Sequence, residues 1–192
     1  MSTERREISD ARTMRAMAHP TRLALLDLLR REGDLTATRA AELLDESPGN
    51  MSWHLQTLAK YGFVEETGDG KGRSRPWRLA AVRSRFVPSP DDPGASAAND
   101  ELAMLLVERS GAQQREWFRT RHSYTTDWQH GAFLTNSLVY LTAEELAKVS
   151  EEIVEIVSRH TERLDPGRRP AGALPVHMTA YGHPLPLTES GN

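Results

Sequence analysis

Residues 47–63 read SPGNMSWHLQTLAKYGF. Ser47 suits a helix N-cap, Pro48 the first helical position and Gly62 the stop, so the spacing predicts a helix running to about Tyr61. At 100° per residue, Met51, Leu55, Leu58 and Gly62 fall on one side, and Gly49, Trp53, Gln56 and Lys60 on the other. The first set is the buried one. The second, flanked by Asn50, Ser52 and Thr57, offers groups that reach base edges, a lysine for phosphate and no carboxylate. A helix entering the major groove requires such a face, because an acidic side chain there is repelled by the phosphates. Trp53 admits two readings, contact with a thymine methyl or sugar and packing on a neighbouring hairpin. His54, toward the flank of the buried side, also admits two: a structural hydrogen bond to the preceding helix, or a base contact.

Upstream, Met14, Met17 and Ala18 share one face of an opening helix expected from about Ile8 and ended by His19-Pro20. Pro20 then starts a second helix with a leucine-rich stripe (Leu23, Leu26 and Leu29, with Leu25 and Leu28 beside them) that ends at Gly33. Thr36 or Thr38 caps a short third helix through Ala40, Leu43 and Leu44, broken by DES at 45–47. Downstream, FVEE and RSRPWRLA read as two short strands around a glycine-rich turn, with Asp69-Gly70 as the hairpin signal. Trp77 and Leu79 there are expected to cover the core.

Three prolines and three acids in VPSPDDPGASAAND mark a linker. The expected organisation is therefore a DNA-binding domain over 1–86, a linker over 87–99 and a second domain over 100–192. The second domain opens with a long helix from about Asp100 to Arg121. It continues with a β-like run, AFLTNSLVYL, and then a helix opened by the Thr142/Glu145 capping box, with Leu146, Val149, Ile153, Ile156 and Val157 on its inner side. LPVHMTAYG is expected to be a last strand. The expected fold class is mainly α with small β (α+β), helices and a hairpin followed by a smaller helix-rich α+β domain.

The formal net charge is −3, yet it is unevenly spread. Residues 1–86 carry 15 Lys and Arg against 12 Asp and Glu, or +3, whereas residues 87–192 carry 9 against 15, or −6. Within 70–90, Lys71, Arg73, Arg75, Arg78, Arg83 and Arg85 occur without one acid, a field suited to phosphate.

MAHPTRLALLDLL (17–29), SPGNMSWHLQTLAKYGFV (47–64) and GKGRSRPWRL (70–79) together resemble the ArsR-type winged helix-turn-helix regulators. The resemblance covers about residues 10–85, with Ser52, His54 and Leu55 standing at that family's S-x-H-L core. It implies a homodimeric transcription factor whose second motif helix enters the major groove while the hairpin wing lies on flanking backbone or minor groove. The chain lacks the cysteine pair that metal-sensing members carry in the third helix, and it extends well beyond the minimal family length.

Other function classes find little support. There is no cysteine for a thiol redox switch or a thiolate metal site. The seven histidines include no pair at metal-ligand spacing and no HExxH. No GxSxG elbow or phosphate-cradling glycine loop suggests an enzyme, and no cofactor is expected. The absence of an apolar run of about 18 residues and of a secretory signal points to a cytoplasmic protein without a membrane partner. Trp117, Phe118, Tyr124, Trp128, Phe133 and Tyr140 are either core packing or the wall of an apolar effector pocket, for which a small organic ligand is the expected class. The expected function is a sequence-specific regulator, a repressor acting as a homodimer on double-stranded DNA. Asn50, Ser52, Trp53, His54, Gln56, Thr57 and Lys60 would read the groove, with Lys71, Arg73 and Arg75 on the wing. The competing reading is a winged-helix protein-interaction module that binds no DNA and uses Trp53 as its anchor.

Overall fold

The computed structural model describes residues 5–68, 75–80, 83–87 and 91–186. The chain divides into two units, Met1–Ala112 and Gln113–Asn192.

The first unit is built on four helices. α1 (Ala11–Met17) is capped by the Asp10 carboxylate, which accepts from Thr13 N at 2.8 Å. Accepting that bond holds the Asp10 carboxyl below its usual pKa. α1 begins later than the expected Ile8, because residues Arg5–Ile8 form a strand, β1. His19-Pro20 breaks the chain as expected. α2 (Pro20–Glu32) has Pro20 in its first turn and stops at Gly33, whose φ of +84° a side chain would resist. α3 (Ala37–Leu44) is capped by Thr36, and Asp45 turns the chain in the left-handed region at φ +52°, where Asp is tolerated. α4 (Pro48–Lys60) follows with Ser47 as N-cap and Tyr61 as C-cap.

Gly62 lies at φ +72°, a left-handed conformation that favours glycine just after the helix end; the Arg6 Nη1 that a Cβ would meet at 2.9 Å is the end of a flexible side chain and could move aside. The chain then enters the antiparallel pair β2 (Val64–Glu66) and β3 (Trp77–Leu79), in the register Val64↔Leu79, Glu65↔Arg78 and Glu66↔Trp77. Trp77 also bridges to Leu35, tying the hairpin to the chain between α2 and α3. The Asp69-Gly70 turn lies outside the described residues.

The core is one cluster. Met14 and Met17 of α1, the five leucines of α2, Ala40 and Ala41 of α3, and Met51, Leu55 and Leu58 of α4 close over Phe63, Val64 and Trp77. At about 25 cal/mol per Å² of buried apolar area, these side chains hold the helix-turn-helix together. Because Met14 and Met17 are engaged in this core, the apolar face of α1 is not free to pair with another copy.

Two features depart from the sequence reading. β1 pairs in parallel with β4 (Arg83–Phe86), from Arg5↔Arg83 to Ile8↔Phe86, so the N-terminal segment is held against the chain just after the hairpin. And α5 (Pro93–Thr120) starts inside the expected linker: Pro93 sits in its first turn, and Ala95, Ala98 and Leu102 are buried. Ala98 and Leu102 join the first unit's core, while Arg109 Nη2 donates to Asp27 Oδ2 on α2 at 2.7 Å. The first unit thus extends past residue 86 to Ala112.

In the second unit, residues 113–186 are all described. They contain the end of α5, 3-10 turns at Arg121–Ser123, Thr161–Leu164 and Pro166–Arg168, and the helices α6 (Thr126–Gly131) and α7 (Ala143–Ser158). The capping box is formed: the Thr142 hydroxyl accepts from Glu145 N at 3.2 Å, and the Glu145 carboxylate accepts from Thr142 N at 2.7 Å. The strands expected at AFLTNSLVYL and LPVHMTAYG are absent; both segments are irregular. Neither segment finds a partner strand among the described residues, and unpaired extended chain is not a sheet. The chain as a whole remains mainly α with small β, but the strands among the described residues all belong to the first unit.

Candidate nucleic-acid interface

α4 presents two faces of opposite character. Met51, Leu55 and Leu58 are fully buried, and Gly49, Trp53, Gln56 and Lys60 face solvent, as the 3.6-residue period requires. Trp53 is 57% exposed, although its indole edge touches the His54 ring at a centroid separation of 4.7 Å. The α4 backbone carries the indole on the outer side of the helix, where more than half of it remains open to solvent.

The flanking polar groups are already engaged with near neighbours. The Thr57 hydroxyl donates to Trp53 O at 2.9 Å. Asn50 Nδ2 donates to Glu46 Oε2 at 3.0 Å, so a carboxylate stands just before the helix, next to a face that carries none of its own. Ser52 and Gln56 approach each other at 3.5 Å. Exposed contacts of this sort are worth a fraction of a kcal/mol, so base edges and phosphates can compete for the same groups.

His54 belongs inside. It is 2% exposed and lies 4.6 Å, ring to ring, from His19 at the start of α2. Its inclusion among groove-reading residues is therefore corrected: it packs α4 onto α2. Its Nδ1 is buried with no hydrogen-bond partner among the described residues. Burial first, then the neighbouring His19 and Arg22, hold the His54 imidazole below its ordinary pKa, while Glu46 pulls weakly the other way. His19 is lowered too, by burial and then by Arg22. Its Nδ1 accepts from Thr21 N at 3.2 Å, a cap that only the unprotonated nitrogen can provide.

The hairpin is less positive than its sequence suggests. Arg75 pairs with Glu66 at 2.9 Å and Arg78 with Glu65 at 3.2 Å, across β2 and β3. The acid-free run over 70–90 does not reveal these partners because they sit on the opposite strand. Cross-strand alternation of FVEE against RPWRL is the signal that could have found them. Both pairs are exposed, hence weak, and a phosphate can exchange for either carboxylate. Lys71 and Arg73 lie outside the described residues.

The aromatic residues of the second unit do not converge on one cavity. Trp117 and Tyr124 approach to 5.3 Å between centroids, and the Arg121 guanidinium stands 5.5 Å from the Phe118 ring. Trp128 is half-buried, but Phe133 is 75% and Tyr140 98% exposed.

A tri-helical core, a tight turn between α3 and α4, an acid-free outer face on α4 and a β-hairpin behind it define a helix-turn-helix domain, the class that binds DNA and regulates transcription. The helix-turn-helix domain family matches residues 17–67, from the end of α1 to just past β2. Similar solved structures include reduced HlyU from Vibrio cholerae N16961, 21% identical over 49% of this chain and 84% of that one, at a TM-score of 0.32. The homodimeric winged helix-turn-helix DNA-binding domain (fragment 1–100) of Mb0332 from Mycobacterium bovis, described as a possible ArsR-family regulator, is 25% identical over 52% and 77%, at 0.34. NMB1585, a MarR family regulator from Neisseria meningitidis, is 13% identical over 78% and 81%, also at 0.34. At these scores the likenesses decide nothing about partners or assembly. No curated protein matches the chain. No helix among the described residues is long and apolar enough to cross a membrane.

Proposed function

We propose that the chain is a sequence-specific DNA-binding regulator of the ArsR type, acting as a homodimer, with the outer face of α4 in the major groove and the β2–β3 hairpin on flanking backbone or minor groove. The observation that carries this reading is the outer face of α4 itself. A 57% exposed tryptophan beside a glutamine and a lysine, with no acid on the same face, is suited to a groove lined by phosphate. Asn50, Ser52, Trp53, Gln56, Thr57 and Lys60 are the groove-facing set, with Arg75, Lys71 and Arg73 on the wing. The protein represses where its operator overlaps a promoter, since a bound dimer then excludes the polymerase.

Two findings support dimerisation. The second unit carries Leu138, Val149, Ile153, Val157, Leu174 and Val176 at least a third exposed, and none of its described side chains is buried. α5 adds Met104 and Val107, also exposed, whereas α1 contributes nothing. A second copy is the occupant the operator geometry demands, because one recognition helix reads too few base pairs. An apolar effector near Phe133 and Tyr140 would need walls from that second copy, since both rings face solvent in one.

Selection of bound duplexes from a random pool, with sedimentation of the protein alone and with the winner, tests this reading. The expected result is a dimer at micromolar concentration and an inverted repeat whose half-sites lie about 34 Å, or a multiple, apart. A monomer in both states, or no enriched sequence, contradicts it.

A further inference from the structure

Arg12 and Arg15 of α1, Arg22 of α2, and Thr57 and Tyr61 at the end of α4 line one open cleft of about 290 Å³. We propose that this cleft is a phosphate-binding site, adjoining the groove-reading face of α4 and sharing Thr57 with it.

The charge pattern is the first support. Elsewhere in this unit, Arg30, Arg39, Arg75, Arg78 and Arg109 each hold a carboxylate within 3.2 Å. The three cleft arginines hold none among the described residues, and no acidic side chain lines the cleft. Two of them donate to carbonyls instead: Arg22 Nη2 to Arg15 O at 3.3 Å, and Arg15 Nη2 to Gly94 O at 3.4 Å, both long. Guanidinium groups brought together without a counter-charge repel one another, and the arrangement is stabilised when an oxyanion joins them.

The second support is Arg22 Nε, which is buried and lacks a hydrogen-bond partner among the described residues. A buried donor left unpaired costs more than a hydrogen bond yields, so it marks a place where an acceptor belongs. Burial also holds the Arg22 guanidinium below its ordinary pKa, the direction a bound anion reverses. Two more cations stand beside Tyr61: Lys60 Nζ is 5.8 Å from its ring, and Arg6 Nη1 donates to Tyr61 O at 2.8 Å. Phosphate fits better than carboxylate, because its three acceptor oxygens can engage several guanidinium forks at once.

The phosphate has two sources, the backbone of a duplex seated on α4 or a free phosphorylated ligand. Only the first rests on the DNA reading, and the test separates them. Arg12→Ala/Arg15→Ala removes two exposed cations, Arg30→Ala/Arg39→Ala removes two ion-paired ones as a control, and Arg22→Lys keeps charge but loses the fork. Circular dichroism checks that each variant folds. In one arm, duplex affinity is followed against salt; in the other, the melting temperature is followed in inorganic phosphate against chloride at equal ionic strength.

For a backbone phosphate, the salt slope of Arg12→Ala/Arg15→Ala falls by roughly 0.9 for each phosphate no longer neutralised and affinity by about tenfold, with the control unchanged. For a free ligand, phosphate raises the melting temperature of the wild type and the control, not of Arg12→Ala/Arg15→Ala, and Arg22→Lys weakens the rise. If wild type binds no duplex, the phosphate arm still decides. Parallel behaviour of the Arg12→Ala/Arg15→Ala variant and the control in both arms overturns the proposal.

Discussion

Leu55→Ala is expected to lower the stability of the first unit by about 2–5 kcal/mol, whereas Gln56→Ala, one residue further along α4, leaves stability within about 0.5 kcal/mol. Leu55 is fully buried among α2, α3 and the hairpin, so truncation leaves a cavity that rigid helices only partly fill. Gln56 is exposed, and the approach to Ser52 that its side chain makes is weak. For duplex binding the order is reversed. At temperatures where Leu55→Ala remains folded its affinity should be close to wild type, while Gln56→Ala combined with Lys60→Ala should weaken binding roughly tenfold to a hundredfold, a base contact being worth about 1–3 kcal/mol. Urea titration and fluorescence anisotropy with a labelled duplex measure the two quantities. Equally weakened binding in both variants would mean that α4 acts only as scaffold.

Acidification should destabilise the first unit well above the carboxylate range. His19 and His54 are both held below the ordinary imidazole value of 6.5, so the unfolded chain takes up their protons first. The stability they confer is therefore fully present above pH 6.5 and is lost as pH falls from there through their folded-state values. The slope is at most about 1.4 kcal/mol per pH unit for each histidine. The structural cause is local: a charged His19 forfeits its acceptor bond from Thr21 N, and a charged His54 is enclosed by His19, Arg22 and Trp53, with Glu46 the nearby acid among the described residues. Melting temperature between pH 7.5 and 5 should fall in wild type and fall less in His54→Gln. Identical curves for the two would show that His54 does not titrate in this window.

Much of the first unit is written locally. Ser47 and Pro48 start α4 and Gly62 stops it, the leucine stripe fixes α2, and Trp77 covers the core, each through capping, period or backbone preference acting over a few residues. What escapes the sequence depends on partners far along the chain. β1 and β4 are four residues each, mostly arginine and polar, and become strands only by pairing across 78 positions. The Arg75–Glu66 and Arg78–Glu65 pairs likewise appear only once the hairpin register is known. Pro93 reads as a linker residue, yet proline is equally at home in a first helical turn, and the alanines after it supply a face small enough to reach the core. In the second unit the misreading is the opposite one: the apolar and β-branched residues at 132–141 and 174–182 read as strands, but such a run makes a strand only where a partner edge exists. The face of α7 that looks inward from its spacing is only partly covered in a single chain.

The central claim, that the outer face of α4 lies against DNA, is tested most directly by Gly49→Glu. A side chain at position 49 meets nothing within 4 Å, and a carboxylate in the first turn of a helix is favourable, so the variant folds with an unchanged or slightly raised melting temperature. It also places one negative charge on a face that has none. Titration of a labelled duplex against wild type and variant at about 0.1 M salt should show affinity falling at least about tenfold, with the difference shrinking as salt is raised. Equal affinity for the two proteins would contradict the placement of α4 in the groove.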